Sequence, residues 1–452
     1  MSSRNAAVEI VRTLRQCGHQ AYLVGGCVRD LLLGREPADF DVSTDATPVE
    51  VMRIFPRTFE VGAQFGVVLV SVKSLSTDCK SVPGASHPDS IEVATFRNDG
   101  VYSDGRHPES VSFTTDPKED VQRRDFTING LMLDPLDGNA VLDYVGGRAD
   151  LEAGIVRAIG NPHRRFAEDT LRMLRAVRFA ARFGYVIDPA TFAAIRELAP
   201  NIRQVSHERV RDELTKMLTE GHARRAFELL DESGLLHEVL PEVERMKGVE
   251  QPPQFHPEGD VWVHTLLLLE MLEPGASPTL AWGALLHDAG KPSTFRVAPD
   301  RIRFDHHVEV GVRIAEEICE RLRFSNHARE QIAALVANHM RFADVRNMRE
   351  STFKRFLRLP AFDEHLALHR IDCLSSHGQL DLYEYTRERR AALPPEQVLP
   401  APLISGNDLL AEGYKPGPVF REILSAVEDG QLEGTLRDRA QALQFVRSKF
   451  SR

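Results

Sequence analysis

The 452-residue sequence contains no run of about 18 apolar residues, so no segment reads as a membrane-spanning helix. Its first residues, MSSRNAAVEIVRTLRQCG, lack the apolar core of a secretion signal. Cysteine is sparse. Cys17, Cys27, Cys79, Cys319 and Cys373 are odd in number, scattered, and never spaced C-x-x-C. That argues against a disulfide framework and a zinc ribbon, and makes a reducing cytoplasm the expected location. Positive charge is also short. The net charge of −10 by itself speaks against bulk nucleic-acid binding. No internal repeat and no low-complexity tract is found.

The composition suits a globular protein of several domains. The hydrophobic fraction is 42% and the charged fraction 27%. At about 150 residues per domain, the length gives roughly three domains. Arginines are unevenly placed: Arg164, Arg165, Arg172, Arg175, Arg178 and Arg182 crowd one stretch, with Arg203, Arg209 and Arg211 soon after. A local basic surface on an acidic protein can hold a polyanion, and one is expected here.

The patterning gives an α+β fold: a mixed-sheet head followed by helices. AYLVGGCVRDLLLG reads as a short apolar run, a Gly-Gly turn and a helix; FDVST, GVVLVSV and SIEVATF read as strands, and FTINGLMLDP and AVLDYVGG complete the head. FAEDTLRMLRAVRFAARFG and HERVRDELTKMLTEG carry helical periodicity, with glycine at each end as a stop. Pro-rich breaks at GVEQPPQFHPEGD and ALPPEQVLPAPL divide the rest of the chain. The expected domains are a head over 1–148, a helical neck and body over 149–247, a histidine-rich helical domain over 261–390, and a helical tail over 400–452. An insertion at 73–89 reads as the loop of an extended hairpin.

GGCVRDLLLGREPADFDVST carries the first chemistry. Asp39 and Asp41 lie one residue apart on a predicted strand, so alternation puts both carboxylates on one face. Two such groups repel unless a cation sits between them, as in a two-metal phosphoryl-transfer site. Magnesium prefers such oxygen ligands. Gly25 and Gly26 let backbone amides approach a triphosphate, and Arg29 is placed to bind it. Glu92, on SIEVATF, is the expected third carboxylate. The pattern resembles the nucleotidyltransferase fold of the polymerase-beta superfamily.

At RRDFTING, residues 123–130, the chain resembles the bacterial class II tRNA nucleotidyltransferases (CCA-adding enzymes) and the related bacterial poly(A) polymerases. Further motifs match in order: D-x-x-x-G from Asp143 to Gly147, E-D-x-x-R at Glu168, Asp169 and Arg172, and R-x-x-x-E at Arg209 and Glu213. Gly130 replaces the usual alanine, a small-for-small change. The resemblance implies template-free addition of C or A from CTP and ATP to the tRNA 3′ end, with two Mg2+ ions. Arg124 would bind triphosphate, Asp125 would accept from a ribose 2′-hydroxyl, and Asn129 would donate to phosphate. Asp169 and Arg172, three apart on a predicted helix, would offer an acceptor and a donor that match cytosine or adenine but not uracil or guanine. Arg175 joins this nucleotide-binding set. Arg209 and Glu213 would brace the neck. The segment RNDGVYSDGRHPESV resembles the flexible loop of enzymes able to add the terminal A.

His264, then His287 with Asp288, then Asp372 match the ligand order of the HD phosphohydrolases, with His307 and His339 as further candidates. A second divalent metal would sit there, with hydrolysis of nucleotide phosphates as a second activity. Three other readings stand beside CCA addition: a poly(A) polymerase, an enzyme adding only the A, and an HD phosphohydrolase whose head merely binds RNA. The mixed charge of the tail and the intact HD residues weigh against the first of these. Intact Asp39, Asp41 and Asp125 weigh against the last. The sequence leaves the oligomeric state open.

Overall fold

The computed structural model describes residues 2–60, 66–71, 90–100, 110–254 and 256–451, the side chains of Glu60 and Asp99 excepted. The 73–89 insertion lies outside the described residues, as does 101–109 of the expected flexible loop. The chain forms two compact units, Met1–Pro241 and Glu242–Arg452.

The first unit opens with α1 (Ser3–Gln16), whose Ala6, Ile10, Val11 and Leu14 are buried. Nine strands come next in the head: β1 (Ala21–Val24), β2 (Asp41–Thr44), β3 (Thr58–Glu60), β4 (Val67–Ser71), β5 (Ser90–Thr95), β6 (Arg97–Asp99), β7 (Val111–Phe113), β8 (Leu131–Asp134) and β9 (Ala140–Asp143). Seven make one mixed sheet in the order β3-β4-β5-β2-β1-β8-β9, and β6 pairs with β7. β1 and β2 are antiparallel, whereas β2 and β5 are parallel. All four residues of β1 are buried, which is why AYLV reads as a continuous apolar run. α2 (Gly26–Leu32) leaves the end of β1 at the Gly-Gly turn, and a capping box between Thr47 and Glu50 starts α3 (Pro48–Ile54).

FAEDTLRMLRAVRFAARFG reads as one helix but forms two. α4 (Pro117–Gln122) and α5 (Gly147–Ala153) close the head, and α6 (Pro162–Glu168) begins the neck. α6 stops at Asp169, which is extended with φ −144° and ψ 104°; α7 (Arg172–Phe183) then starts afresh. α7 packs against helices His207–Thr219 and Ala223–Glu232. The second unit is helical apart from a hairpin, Phe295–Val297 with Ile302–Phe304. Its tail helices close on a small core of Ile404, Leu409, Tyr414, Ile423, Val427 and Val446.

The D-x-x-x-G motif is a packing device. One Asp143 oxygen accepts from the amides of Val145 and Gly147, and the other accepts from that of Arg148, which starts α5. A Cβ at Gly147 would lie 2.1 Å from the Thr127 carbonyl oxygen, so α5 can press on the RRDFTING segment only through glycine. At Gly130 a Cβ would meet Val145 at 2.9 Å and Ile159 at 3.1 Å, side chains with some room to give. Gly147→Ala is therefore expected to destabilise the protein by about 3 kcal/mol or more, and Gly130→Ala by about 1 kcal/mol. Urea unfolding checks the ranking; equal losses would contradict this packing.

Candidate active sites in the head and in the histidine unit

Parallel pairing sets Asp41 of β2 opposite Glu92 of β5. Paired residues of neighbouring strands share a face, so the expected third carboxylate stands beside Asp41. Asp39 differs from expectation. The strand begins at Asp41, and Asp39 is an exposed residue of the approach, set there by the burial of Phe40 between them. The three charges still act on one another. Burial, then Glu92, then Asp39 push the Asp41 carboxyl up to about 7, against the lowering effect of Arg124. Glu92, although its tip is exposed, is pushed up by desolvation at the sheet and then by Asp39. Carboxylates held together against their repulsion suit a hard divalent cation with oxygen ligands, so the donor set fits one.

Beside them, Gly25 caps α2 with φ 74°. A Cβ there would stand 3.3 Å from Arg124 Nη1, so the turn and this guanidinium lie side by side. Arg124 donates to Asp120 at 3.0 Å, and its Nε is buried with no partner among the described residues.

Asp125, Asn129 and Arg29 form a chain of hydrogen bonds. Arg29 Nη1 donates to Asn129 Oδ1 at 2.6 Å, and Asn129 Nδ2 donates to Asp125 Oδ1 at 3.2 Å. Asp125 Oδ1 also accepts from the Phe126 amide at 2.8 Å. Its Oδ2 accepts from Arg175 Nε at 2.9 Å and Nη2 at 2.6 Å. Burial raises the Asp125 carboxyl, but Arg175 outweighs it and holds the group at about 2. With two bonds on each oxygen, no open acceptor remains for the expected ribose hydroxyl. Asn129 spends its carbonyl oxygen and one of its two N–H donors inside the chain. Arg29 is buried, bonded to Asp30 at 2.8 Å, and lies 4.6 Å over the Phe183 ring, so its place is behind the turn and its expected triphosphate contact is not set up. The physical reason is burial: polar groups this deep must pair, and they pair with each other.

The expected base-choosing pair, Asp169 and Arg172, also departs from expectation in its geometry. Asp169 sits at the break between α6 and α7, not on a shared helix face. Its Oδ2 accepts from Arg209 at 2.8 Å and its Oδ1 from the Leu171 amide at 3.1 Å. Arg172 Nη1 donates to Glu168 at 2.9 Å and to the Arg165 carbonyl at 3.0 Å, and Nη2 donates to the Arg123 carbonyl at 3.1 Å. These bonds use three of the five guanidinium N–H groups and leave donors for a base edge. Arg209 thus reaches Asp169 directly, while buried Arg178 bonds Glu213 at 2.6 Å. The expected basic surface is largely turned inward: Arg172 and Arg178 are buried, Arg175 is paired with Asp125, and Arg182 with Glu220 at 3.2 Å. The sequence reading missed Arg165 and Glu168 as partners, although their spacings, i,i+3 to each other and i,i+4 from Glu168 to Arg172, were the available signal.

In the second unit, His264 Nε2 lies 3.2 Å from Asp372 and 3.3 Å from His287 Nε2. His287 Nε2 stands 3.1 Å from Asp288, and His339 and His307 stand 3.8 and 4.0 Å from it on the other side. His287, His307 and His339 place Nδ1 against the carbonyls of Ala284, Phe304 and Val336. That fixes each Nε2 as the bare nitrogen, and those of His307 and His339 are buried with no hydrogen-bond partner among the described residues. Glu258, missed in the sequence, holds His264 Nδ1 at 2.8 Å. Burial opposes charge on His264, but Asp372 and Glu258 keep its imidazole up at about 9. Bare imidazole nitrogens converging on buried carboxylates fit a divalent metal. His287, Asp288, His307, His339 and Asp372 line a cavity of about 500 Å3.

Residues 21–157 match the Poly A polymerase head domain, 184–247 match the "Probable RNA and SrmB- binding site of polymerase A", and 260–375 match the HD domain. The curated relatives that the chain matches are CCA-adding enzymes. It is 43% identical over 229 residues to the CCA-adding enzyme of Geobacillus stearothermophilus, covering 51% of this chain and 53% of that one. To the Lactobacillus johnsonii CCA-adding enzyme it is 37% identical over 270 residues, 59% of this chain and 64% of that one. The chain thus spans about half to two thirds of the length of these relatives. A crystal structure of the Bacillus stearothermophilus CCA-adding enzyme with CTP superposes with a TM-score of 0.71 at 27% identity, over 99% of each chain. The Thermotoga maritima CCA-adding enzyme, at 19% identity and a TM-score of 0.57, shares the fold. No helix among the described residues is long and apolar enough to cross a membrane.

The raised Asp41 carboxyl has a sign. A folded-state value of about 7 against the ordinary 3.8 means that protonated Asp41 favours the fold at low pH, and that this contribution fades as pH rises through about 7. Above about pH 7, Asp41→Asn is expected to stabilise the cation-free protein by on the order of 1 kcal/mol and to weaken the stabilisation that added divalent cation gives the unaltered chain. Thermal melts with and without the cation check this. A variant that responds to cation as fully as the parent would contradict it.

Proposed function

We propose that the chain is a template-free RNA nucleotidyltransferase that adds C and A from CTP and ATP to the 3′ end of tRNA. The observation that carries this reading is the likeness, over 99% of both chains, to a CCA-adding enzyme solved with CTP. In this reading Asp39, Asp41 and Glu92 hold two Mg2+ ions. When bound, these would polarise the α-phosphate and favour attack by the RNA 3′-hydroxyl. The Gly25–Gly26 turn and Arg124 bind the triphosphate. Arg29, Asn129, Asp125 and Arg175 act behind them as a brace that sets their positions.

Asp169 and Arg172 choose the base. Asp169 accepts from the amino group of cytosine or adenine, and Arg172 donates to the unprotonated ring nitrogen beside it. Uracil and guanine carry an N–H at that ring position, which would face Arg172 donor to donor. Asp169 keeps acceptor capacity beyond its two bonds, and Arg172 keeps donors beyond its three. The working division we propose is a catalytic head over 1–148, a neck and body over 149–247, the HD domain over 261–390 and a tail over 400–452, acting in the cytoplasm.

The direct test supplies tRNA lacking its CCA end with each nucleotide and sequences the products. We expect C, C and a single A, and we expect Asp39→Ala or Asp41→Ala to abolish addition. Extension by A alone would support the A-adding reading. Long A tails on unstructured RNA would support a poly(A) polymerase.

The histidine geometry favours a second activity. His264, His287, Asp288 and Asp372 would hold a divalent metal, with His307 and His339 facing Asp288 from the opposite side. Replacing His287 and Asp288 together with alanine should remove bound metal and any metal-dependent hydrolysis of nucleotide phosphomonoesters or 2′,3′-cyclic phosphates. Nucleotide addition should persist, because the head carboxylates belong to the other compact unit. Equal loss of both activities would contradict two separate sites.

A further inference from the structure

We propose that Arg165 is the positioning residue that fixes the base-choosing Arg172 to the triphosphate segment. The inference rests on the reading of Asp169 and Arg172 as the base-choosing pair. Arg165 Nη2 donates to the Gln122 carbonyl at 2.7 Å, and Nη1 donates to the Arg123 carbonyl at 3.2 Å. Nη1 also donates to Glu168 at 2.7 Å, and Nε donates to the Ile159 carbonyl at 3.2 Å. Arg172 reaches the same two acceptors: Glu168 Oε2 at 2.9 Å and the Arg123 carbonyl at 3.1 Å.

The result is a closed ring. Two guanidinium groups share one carboxylate oxygen on the neck side and one carbonyl on the head side. Arg123 directly precedes Arg124 and Asp125, so the ring holds the base edge at a fixed distance from the residues that take the triphosphate. Without the Arg165 side chain, Arg172 would keep its bonds to Glu168 and to the Arg123 and Arg165 carbonyls, but Glu168 and the Arg123 carbonyl would each lose their second grip. With Arg165 in place, Glu168 is pulled from two sides and the Arg123 carbonyl is gripped twice, so the Arg172 fork has one direction to point. A donor–acceptor edge tells cytosine from uracil only if it stays in that direction, because donor-to-donor repulsion is relieved by a small rotation.

Lysine keeps the charge but gathers its donors at one point, so it cannot span Gln122, Arg123, Glu168 and Ile159 together. The test uses the full chain and tRNA lacking its CCA end, and compares kcat/KM for CTP and UTP in Arg165→Lys, Glu168→Gln and Arg172→Ala, with melting temperatures alongside. We expect Arg165→Lys to lower the CTP-over-UTP ratio by roughly tenfold or more, chiefly by admitting UTP, with folding retained. Glu168→Gln, which keeps an acceptor but loses the shared charge, should shift the ratio the same way by less. A purely structural role would lower rates with both nucleotides together and leave the ratio unchanged. An unchanged ratio in Arg165→Lys and Glu168→Gln, beside a lost one in Arg172→Ala, would overturn the inference. An unchanged ratio in Arg172→Ala would instead overturn the base-choice reading on which it rests.

Discussion

A buried, ionised Asp125 is the constraint around which the first unit is arranged. A carboxylate this deep is costly unless every lone pair finds a donor. Its donors come from different elements: Arg175 from α7, Asn129 from the turn after RRDF, and its own neighbour Phe126. Asn129 in turn takes Arg29 from α2. The charge therefore ties the Gly-Gly turn, the RRDFTING segment and the neck helix into one piece. Removing a partner leaves an unpaired buried charge, a loss of about 3–5 kcal/mol. Phe179 and Phe183, stacked with ring centroids 6.1 Å apart, give Arg29, Arg175 and Arg178 flat faces to lie on. Arg172 and Arg175 of α7 thus hold the neck to the head, while Arg178 and Arg182 pair within the neck.

The two candidate centres solve different problems with different donors. In the head, three carboxylates are kept together while still reachable, and burial followed by their mutual repulsion raises Asp41. That arrangement suits hard cations and phosphate oxygens. In the second unit, imidazoles are aimed by carbonyls at Asp288, and the cavity beside them is lined by Lys291, Arg301 and Arg303. Nitrogen-rich donors suit transition metals. Lys291 stands 2.7 Å from Asp288 and supplies positive charge where a phosphate would arrive.

Much of this was legible in the sequence. Gly25–Gly26, Asp41 and Glu92, the RRDFTING run and the ordered histidines each carry their chemistry in residue type and spacing. Strand pairing then set Asp41 against Glu92 as expected. Four features were hidden, each for a physical reason. The periodicity across FAEDTLRMLRAVRF is continuous although the backbone breaks at Asp169, because apolar residues are buried on both sides of the break, Phe166 before it and Met173, Leu174 and Val177 after it. The arginine cluster reads as surface because spacing cannot say that its partners, Asp125, Glu213 and Glu220, are brought to it by tertiary packing. Asp125 and Asn129 read as ligand-binding because a polar motif looks alike whether it faces a substrate or faces other polar groups. Arg165 was hidden because its acceptors are mostly backbone carbonyls, which carry no sequence signal.

The central claim is that the protein itself, with no nucleic-acid template, distinguishes the incoming base. Nucleotide binding without RNA tests it most directly: calorimetric titration of the full chain with CTP, ATP, UTP and GTP, using a divalent cation that permits binding without turnover. The account predicts that CTP and ATP bind at least about tenfold more tightly than UTP and GTP, a difference of about 1.4 kcal/mol or more. Equal affinity for all four nucleotides would contradict it, since choice would then have to come from the RNA.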